Sequence, residues 1–244
     1  MSAALALNNI NVFLPLYSTF SQRAYDQILN DIARPNLKVV IGIDRAGFVG
    51  EDGSTHQGLY DVSMFLSMPN IVVTMPRNTC EAYGLLNYAY TQENPFVIRY
   101  PRGEVDIVDF KCEPIKPSWE VMKKGKLAVI SYGPFLNEIA KMIENEKLDV
   151  SLINARYIRP IDEEVLKEVA ENNKTIIVYE QTHASGSLYQ IILDFLARNN
   201  YDNKVVLMSA YNKVIDHGTV LDNLEEANLD LNSLLKTIKK HETR

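Results

Sequence analysis

The chain has little sulfur, little histidine and no long apolar run. Its two cysteines in 244 residues, Cys80 and Cys112, are too few for a disulfide framework and fit a reducing compartment. Neither has a metal-ligand neighbour at zinc spacing, so both read as structural. No apolar stretch approaches the ~18–20 residues of a membrane span. The apolar start Met1–Leu7 has no basic segment of the kind a secretory leader carries, and it reads as the tail of a helix. A cytoplasmic location follows as the expectation, with no membrane partner. The net charge is −6, which argues against a nucleic-acid partner. A Walker loop, a Gly-x-Gly-x-x-Gly turn, a Gly-x-Ser-x-Gly elbow and a His-Glu-x-x-His helix are all missing, which removes P-loop enzymes, Rossmann dehydrogenases, common hydrolases and zincins. Heptads, low-complexity segments and short internal repeats are absent too.

What remains is an ordinary globular composition, 46% apolar and 23% charged, in a chain long enough to bury a real core. Short β-branched apolar runs recur at Asn11–Leu16, Val39–Ile43, Ile71–Met75, Phe96–Tyr100, Leu127–Tyr132, Val150–Asn154, Thr175–Tyr179 and Val205–Met208. Such continuous runs suit strands covered on both faces. Helical periodicity fills the gaps at Ser21–Ile32, Thr79–Tyr90, Phe135–Asn145, Glu163–Asn172, Leu188–Ala197 and Leu231–His241. This alternation predicts an α/β fold of mostly parallel sheets with helices on both faces. Thr79 is the expected cap of its helix, and Asp162 with Glu163 and Glu164 puts acidic charge at the positive start of another. The stretch Pro101–Trp119 holds three prolines and no helical period, so it reads as a linker. It divides the chain into two doubly wound domains, 1–112 and 118–244.

The run Asp44-Arg-Ala-Gly47, followed by Gly50-Glu-Asp52-Gly-Ser-Thr-His56-Gln-Gly58, follows a buried strand. Ligands in open α/β sheets bind at the carboxyl ends of strands, and four glycines with a histidine exceed what a turn needs. Arg45 and Arg102 both lie just past strand ends. Each alone suits a surface salt bridge; together they could converge on one phosphate or carboxylate. His56 is the one histidine of the first domain and could transfer protons. Phe20 is either core or a platform for a flat heterocycle. Tyr25 reads as core, and Arg23 as an ion-pair partner of a carboxylate such as Asp26. His183, in another strand-to-helix loop, reads as structural, and His217 and His241 as surface residues.

Several motifs resemble one family. Tyr17-Ser-Thr-Phe20-x-Gln-Arg23-Ala-Tyr25-Asp26-Gln, Asp44-Arg-Ala-Gly47, Gly50-x-Asp52-Gly-x-Thr-His56-Gln-Gly58, Arg99-Tyr-Pro-Arg102-Gly103 and Arg156-x-Ile-x-Pro160-Ile-Asp162 are similar to those of 1-deoxy-D-xylulose-5-phosphate synthase, a thiamine-diphosphate enzyme related to transketolase. The resemblance runs over essentially the whole chain. It implies a pyrimidine-binding domain and a transketolase-type C-terminal domain. The implied reaction is the decarboxylative condensation of pyruvate with glyceraldehyde 3-phosphate, which feeds isoprenoid, thiamine and pyridoxal synthesis. It further implies that Phe20 stacks on the cofactor's aminopyrimidine, with Tyr17 beside it. His56 would shuttle protons, Asp52 would contact the aldehyde, and Arg45, Arg102 and Tyr17 would hold its phosphate.

The family's N-terminal domain, which binds diphosphate and magnesium through Gly-Asp-Gly, has no match here. The activating glutamate and the first strand of the pyrimidine-binding domain would lie before Ala3. The chain therefore resembles the C-terminal portion of the enzyme, as a truncated gene product or one half of a split enzyme. The expectation is that alone it neither binds thiamine diphosphate with Mg2+ nor catalyses, and that residues 44–58 are mobile. It needs the missing diphosphate-binding half as partner, and it forms a homodimer. The loop Glu180-Gln-Thr-His183-Ala-Ser-Gly186 is shorter than the family's, so no role passes to His183. Two other functions compete. One is the β-half of a split transketolase or of a 2-oxo acid dehydrogenase. The other is a non-catalytic dimerisation or regulatory module.

Overall fold

The computed structural model describes residues 1–103 and 112–242; part of the expected linker, 104–111, lies outside them. Two five-stranded sheets form. The first has the order β1-β2-β4-β3-β8, with β1 Val12–Tyr17, β2 Val39–Asp44, β3 Val72–Thr74, β4 Phe96–Arg99 and β8 Tyr157–Arg159. The second has the order β10-β9-β6-β7-β5, with β5 Glu120–Lys123, β6 Leu127–Ser131, β7 Val150–Asn154, β9 Thr175–Tyr179 and β10 Lys204–Met208. Among the described strands all pairings are parallel except β3 with β8 and β5 with β7. The α/β class and the parallel sheets expected from the apolar runs are present. Central strands such as β2 and β6 are buried almost throughout, as double coverage requires. Pro15 fits within β1 because β1 is an edge strand.

The two antiparallel strands were not legible in the sequence. Both are short, and β8 crosses from the second half of the chain to finish the first sheet. Its Arg159 donates to the carbonyls of Ile71, Leu66, Phe65 and Met68 at 2.8–3.0 Å. Four carbonyls around one guanidinium fix where the second half sits on the first.

Other local readings need correction. The helix expected over Ser21–Ile32 is a composite: a 3-10 turn at Thr19–Ala24, α2 at Tyr25–Gln27 and a π segment at Ile28–Ala33. Tyr25 is 38% exposed, so it is not core; its hydroxyl pairs with Ser67 at 3.2 Å. The helix α4, Thr79–Ala89, is capped by Asn78 and not by Thr79: the Asn78 amide oxygen accepts from the Glu81 N–H at 2.9 Å. Asp162, expected only as acidic charge at the helix start, also caps α6, Glu163–Asn172, accepting from Val165 N–H. Helices α1 (Ser2–Leu7), α3 (Asp61–Leu66) and α8 (Val220–Glu226) are too short for their periodicity to stand out. The expected helices α5 (Phe135–Asn145), α7 (Leu188–Arg198) and α9 (Leu231–Glu242) are in place.

Cys80 and Cys112, read as separate structural thiols, are joined in a disulfide with Cα atoms 5.5 Å apart. Sequence counting cannot see this, because the partners meet only when the linker folds back on α4. The same return is fixed by the Ile115 N–H bonding to the Gly84 carbonyl at 3.0 Å. Closing a 32-residue separation restricts the unfolded chain, so reduction is expected to lower the unfolding free energy by ~3–4 kcal/mol. Urea unfolding with and without dithiothreitol measures this.

Arg99, at the end of β4, is 1% exposed and lies in the core. Its Nε and Nη2 donate to the two carboxylate oxygens of Asp61, at 2.6 and 3.1 Å. Burial is the largest single influence and works against its charge, and Asp61, Tyr132 and Glu180 together more than offset it and raise its pKa. Its guanidinium lies 5.8 Å from the centre of the Tyr132 ring, and the Tyr132 hydroxyl donates to Glu180 at 3.0 Å. One polar chain thus runs from the first sheet into the second. Replacing Arg99 by Met should leave Asp61 buried without its partner and cost about 3–5 kcal/mol, read from the shift of a urea midpoint at unchanged slope.

Candidate active site

Three parallel strands deliver the site. Tyr17 ends β1, Asp44 ends β2, and Arg102 lies three residues beyond β4. Between them runs the glycine-rich loop. Arg45 takes a left-handed backbone (φ 59°), a costly conformation for a side chain of this size and one that clusters at functional sites. A short 3-10 turn, Gly50–Asp52, then brings Asp52 back to the strand ends.

The two arginines meet on that carboxylate. Arg102 Nη1 lies 3.0 Å from one Asp52 oxygen, while the Tyr17 hydroxyl donates to the other at 3.0 Å and Arg45 Nε approaches it at 3.6 Å. Arg45 also pairs through Nη1 with Asp44, and its Nε is buried without a hydrogen bond. Burial, and next the bond to Asp52, push the Tyr17 phenol up to about 12, so it stays a donor at any physiological pH. Asp44 beside Arg45 raises that guanidinium's pKa further. Two guanidinium groups and a phenol around the Asp52 carboxylate are a donor set whose chemistry suits an oxyanion.

Beside the anion site stand three rings. Tyr17 and Phe20 have centroids 4.9 Å apart, Phe20 and His56 5.3 Å, and Tyr17 and His56 5.7 Å. Phe20 is 40% exposed, so it is a surface ring and not core. Arg23 lies over it at 5.5 Å; among the described residues it pairs with no carboxylate, and Asp26 accepts from Asn30 instead. His56 Nδ1 is 2.8 Å from the Thr55 hydroxyl. His183 lies against Tyr60, the rings tilted by 32° with centroids 4.3 Å apart, and His217 is exposed close to Gly53.

Residues that the sequence reading passed over hold this loop. Gly47 and Gly58 exchange both backbone hydrogen bonds at 2.8 Å, closing it. Gln57 accepts from Val49 N–H at 3.0 Å and donates to Asn223 at 3.0 Å. Phe48 and Leu59 pack into the apolar cluster of the second sheet, and the Leu59 carbonyl accepts from Thr182 Oγ1 and His183 N–H. The one available signal was two large apolar residues flanking a polar, glycine-rich loop. A cavity of ≈ 300 Å³ lies between the halves, lined in part by Gly47, Phe48, Arg102, Tyr132 and Gln181.

A model of the transketolase pyrimidine-binding domain matches residues 1–107, and one of the transketolase C-terminal domain matches 118–234. The chain belongs to the transketolase family. Among curated transketolase-family relatives, the 1-deoxy-D-xylulose-5-phosphate synthase of Clostridium tetani is 38% identical over 248 aligned positions, covering 98% of this chain and 40% of that protein. The synthase of Lysinibacillus sphaericus is 39% identical over 238 positions, covering 94% and 38%. The chain thus spans about 40% of the length of these relatives. Among solved structures, a split-gene transketolase described as an inactive β4 tetramer shares the fold with a TM-score of 0.87 at 24% identity, covering 99% of this chain and 80% of that one. Transketolase from Campylobacter jejuni gives 0.74 at 19% identity, covering 98% and 37%.

Membership in this thiamine-diphosphate family raises the question of cofactor fit. The exposed Phe20 ring beside Tyr17 and His56 fits an aminopyrimidine. The other end does not fit: among the described residues no group of three His, Cys, Asp or Glu side chains could hold a metal ion.

Gly58 tests the loop. A Cβ there would meet the Arg45 carbonyl oxygen at 2.1 Å, and backbone cannot yield as a flexible side chain can. Gly58→Ala is expected to cost roughly 2–3 kcal/mol by forcing the Gly47 pairing apart. Thermal unfolding of the variant, with far-UV dichroism to confirm its fold, measures the loss.

Proposed function

We propose that this chain is the pyrimidine-binding and C-terminal part, domains 1–112 and 118–244, of a 1-deoxy-D-xylulose-5-phosphate synthase. That enzyme condenses pyruvate with glyceraldehyde 3-phosphate with loss of CO2. The observation that carries the reading is the convergence of Arg45, Arg102 and Tyr17 on one anion beside the Phe20–His56 rings. The relatives of the same name, about 38% identical across nearly the whole chain, support it. Arg45, Arg102 and the Tyr17 phenol bind the aldehyde's phosphate, and Asp52 contacts its aldehyde end. Phe20, with Tyr17, gives the cofactor's pyrimidine a hydrophobic face. His56 is oriented through Nδ1 by Thr55 and moves a proton through Nε2. Thiamine diphosphate, when bound, supplies the electron sink. Its diphosphate and Mg2+ belong to a separate N-terminal half, which is the partner this reading requires in addition to self-association into a homodimer. Among the described residues no helix is long and apolar enough to cross a membrane.

A second reading, the β-half of a split transketolase, is favoured by one observation: the chain has the fold of such a subunit and covers 80% of it. Mixing settles the choice. The chain alone should give no product from pyruvate and glyceraldehyde 3-phosphate. With the N-terminal half of a relative synthase, the condensation product should form, detected by mass. Turnover by the chain alone overturns the division of labour. Ketol transfer from xylulose 5-phosphate in the mixture, without condensation of pyruvate, favours the second reading.

A further inference from the structure

His56 lies on a glycine-rich loop, and the residues on either side of it are tied to different halves of the chain. The Thr55 carbonyl accepts from Thr19 Oγ1 at 3.1 Å, a bond to the first half. Gln57 is 2% exposed and donates to Asn223 of the second half. We propose that Asn223 is a positioning residue for His56: through the Gln57 amide it fixes the point from which the imidazole moves its proton. This rests on the reading of His56 as the proton-moving group, and adds that the second half of the chain supplies part of its support.

Three observations carry it. First, the direction of every hydrogen bond in the tie is fixed. Val49 N–H can only donate, so the Gln57 amide oxygen faces it, at 3.0 Å. Gln57 Nε2 then faces the Asn223 amide oxygen at 3.0 Å, and Asn223 Nδ2 faces the Asp216 carbonyl at 2.9 Å. A backbone donor at one end and a backbone acceptor at the other allow one orientation of both side-chain amides. Second, the tie is buried and complete. Asn223 is 1% exposed, and each polar atom of the two amides has a partner. Removing one member leaves the others buried and unpaired. Third, the carrier of Asn223 is firm and lies directly on the loop. Thr219 and Asp222 form the capping box that starts α8, and Ile215 is buried in the cluster of the second sheet. A Cβ on Gly50 would meet the Val220 nitrogen at 3.0 Å and the Gly218 carbonyl oxygen at 3.3 Å. Backbone rests on backbone there, with no flexible side chain to absorb a shift.

A group that transfers a proton must lie within about 2.6–3.2 Å of its target. A displacement of ~1 Å can cost ~100-fold in rate. A loop with glycines at 50, 53 and 58 has little stiffness of its own with which to hold that tolerance. The stiffness comes from its two ties, Thr19 on Thr55 and Asn223 on Gln57, one from each half.

The full chain labelled with 15N-histidine carries four imidazoles, and His56→Gln identifies the His56 signals. Asn223→Ala removes both amide groups of the tie; the near-isosteric Asn223→Asp removes only the donor to Asp216 and serves if the first variant does not fold. Far-UV dichroism reports the fold of each. In the folded variants the His56 ring nitrogens should shift while those of His241, on α9, stay in place. Mixed with the N-terminal half of a relative synthase, the same variants should lower kcat for condensation about tenfold or more, with KM for glyceraldehyde 3-phosphate within about twofold. A tie that is only structural lowers the unfolding temperature and leaves the His56 signals and kcat where they were. Unmoved His56 signals in the folded variants overturn the proposal, as does an unchanged kcat. If the signals move while the unaltered mixture fails to condense pyruvate, the functional reading fails and the tie to His56 stands. If the mixture condenses pyruvate and kcat survives in the variants, the positioning role alone fails.

Discussion

A guanidinium buried at the end of a central strand stays charged only if a carboxylate is placed against it with both oxygens engaged. Asp61 does this for Arg99, and much of the molecule is arranged around that requirement. Asp61 opens α3, so the pair sets where α3 starts and hence how the loop before it must end. Arg99 sits against Tyr132, and Tyr132 donates to Glu180. Glu180 is itself fully buried; burial raises its pKa, and the N–H groups of Tyr189 and Leu188 together with Tyr132 work against that rise. Such a network is unfavourable when half satisfied and specific when complete. Here it joins the two sheets at one relative position.

With the sheets so fixed, the loop of residues 47–59 is held from both sides. Its ends are closed on each other by the Gly47–Gly58 pairing, and the Ala46 N–H just before them bonds to the Tyr100 carbonyl beyond β4. Its apolar residues belong to the second, where Phe48 and Leu59 join the core, and Gln57 ties its middle to Asn223. The side chains proposed to act come from the first half, while the second half supplies the surface that shapes them. A family resemblance assigns roles to Asp52 and His56 but not to Phe48, Gln57 or Leu59, which touch no proposed ligand and nonetheless decide where Asp52 points.

The class of fold was legible because parallel strands carry their own signature. Val39–Ile43, Leu127–Tyr132 and Thr175–Tyr179 are β-branched and apolar on both faces, a pattern few other settings favour. The convergence of Arg45 and Arg102 was legible as a possibility, since both follow strands, but strand order decides it, and β2 and β4 being neighbours is not written locally. What escaped is tertiary in origin. Strand β8 pairs across some 85 residues with β3, Cys80 meets Cys112 only through the returning linker, and Tyr25 is exposed because its helix changes hydrogen-bond pattern midway. Asn78 could have been identified as the cap, since Asn precedes Thr79 and Glu81 follows three residues later; the error was to favour the hydroxyl over the equally capable amide.

The division of the chain has a physical logic on the proposed reading. An anion seat made of Tyr17, Arg45 and Arg102 comes from three strands of one sheet, so it is complete within a chain that spans about 40% of its relatives. A cofactor with a flat ring at one end and a magnesium diphosphate at the other needs two chemistries, aromatic and metal-ligating, and among the described residues only the aromatic one stands here, at Phe20, Tyr17 and His56. Substrate recognition can therefore fold and be tuned without the cofactor's anchor.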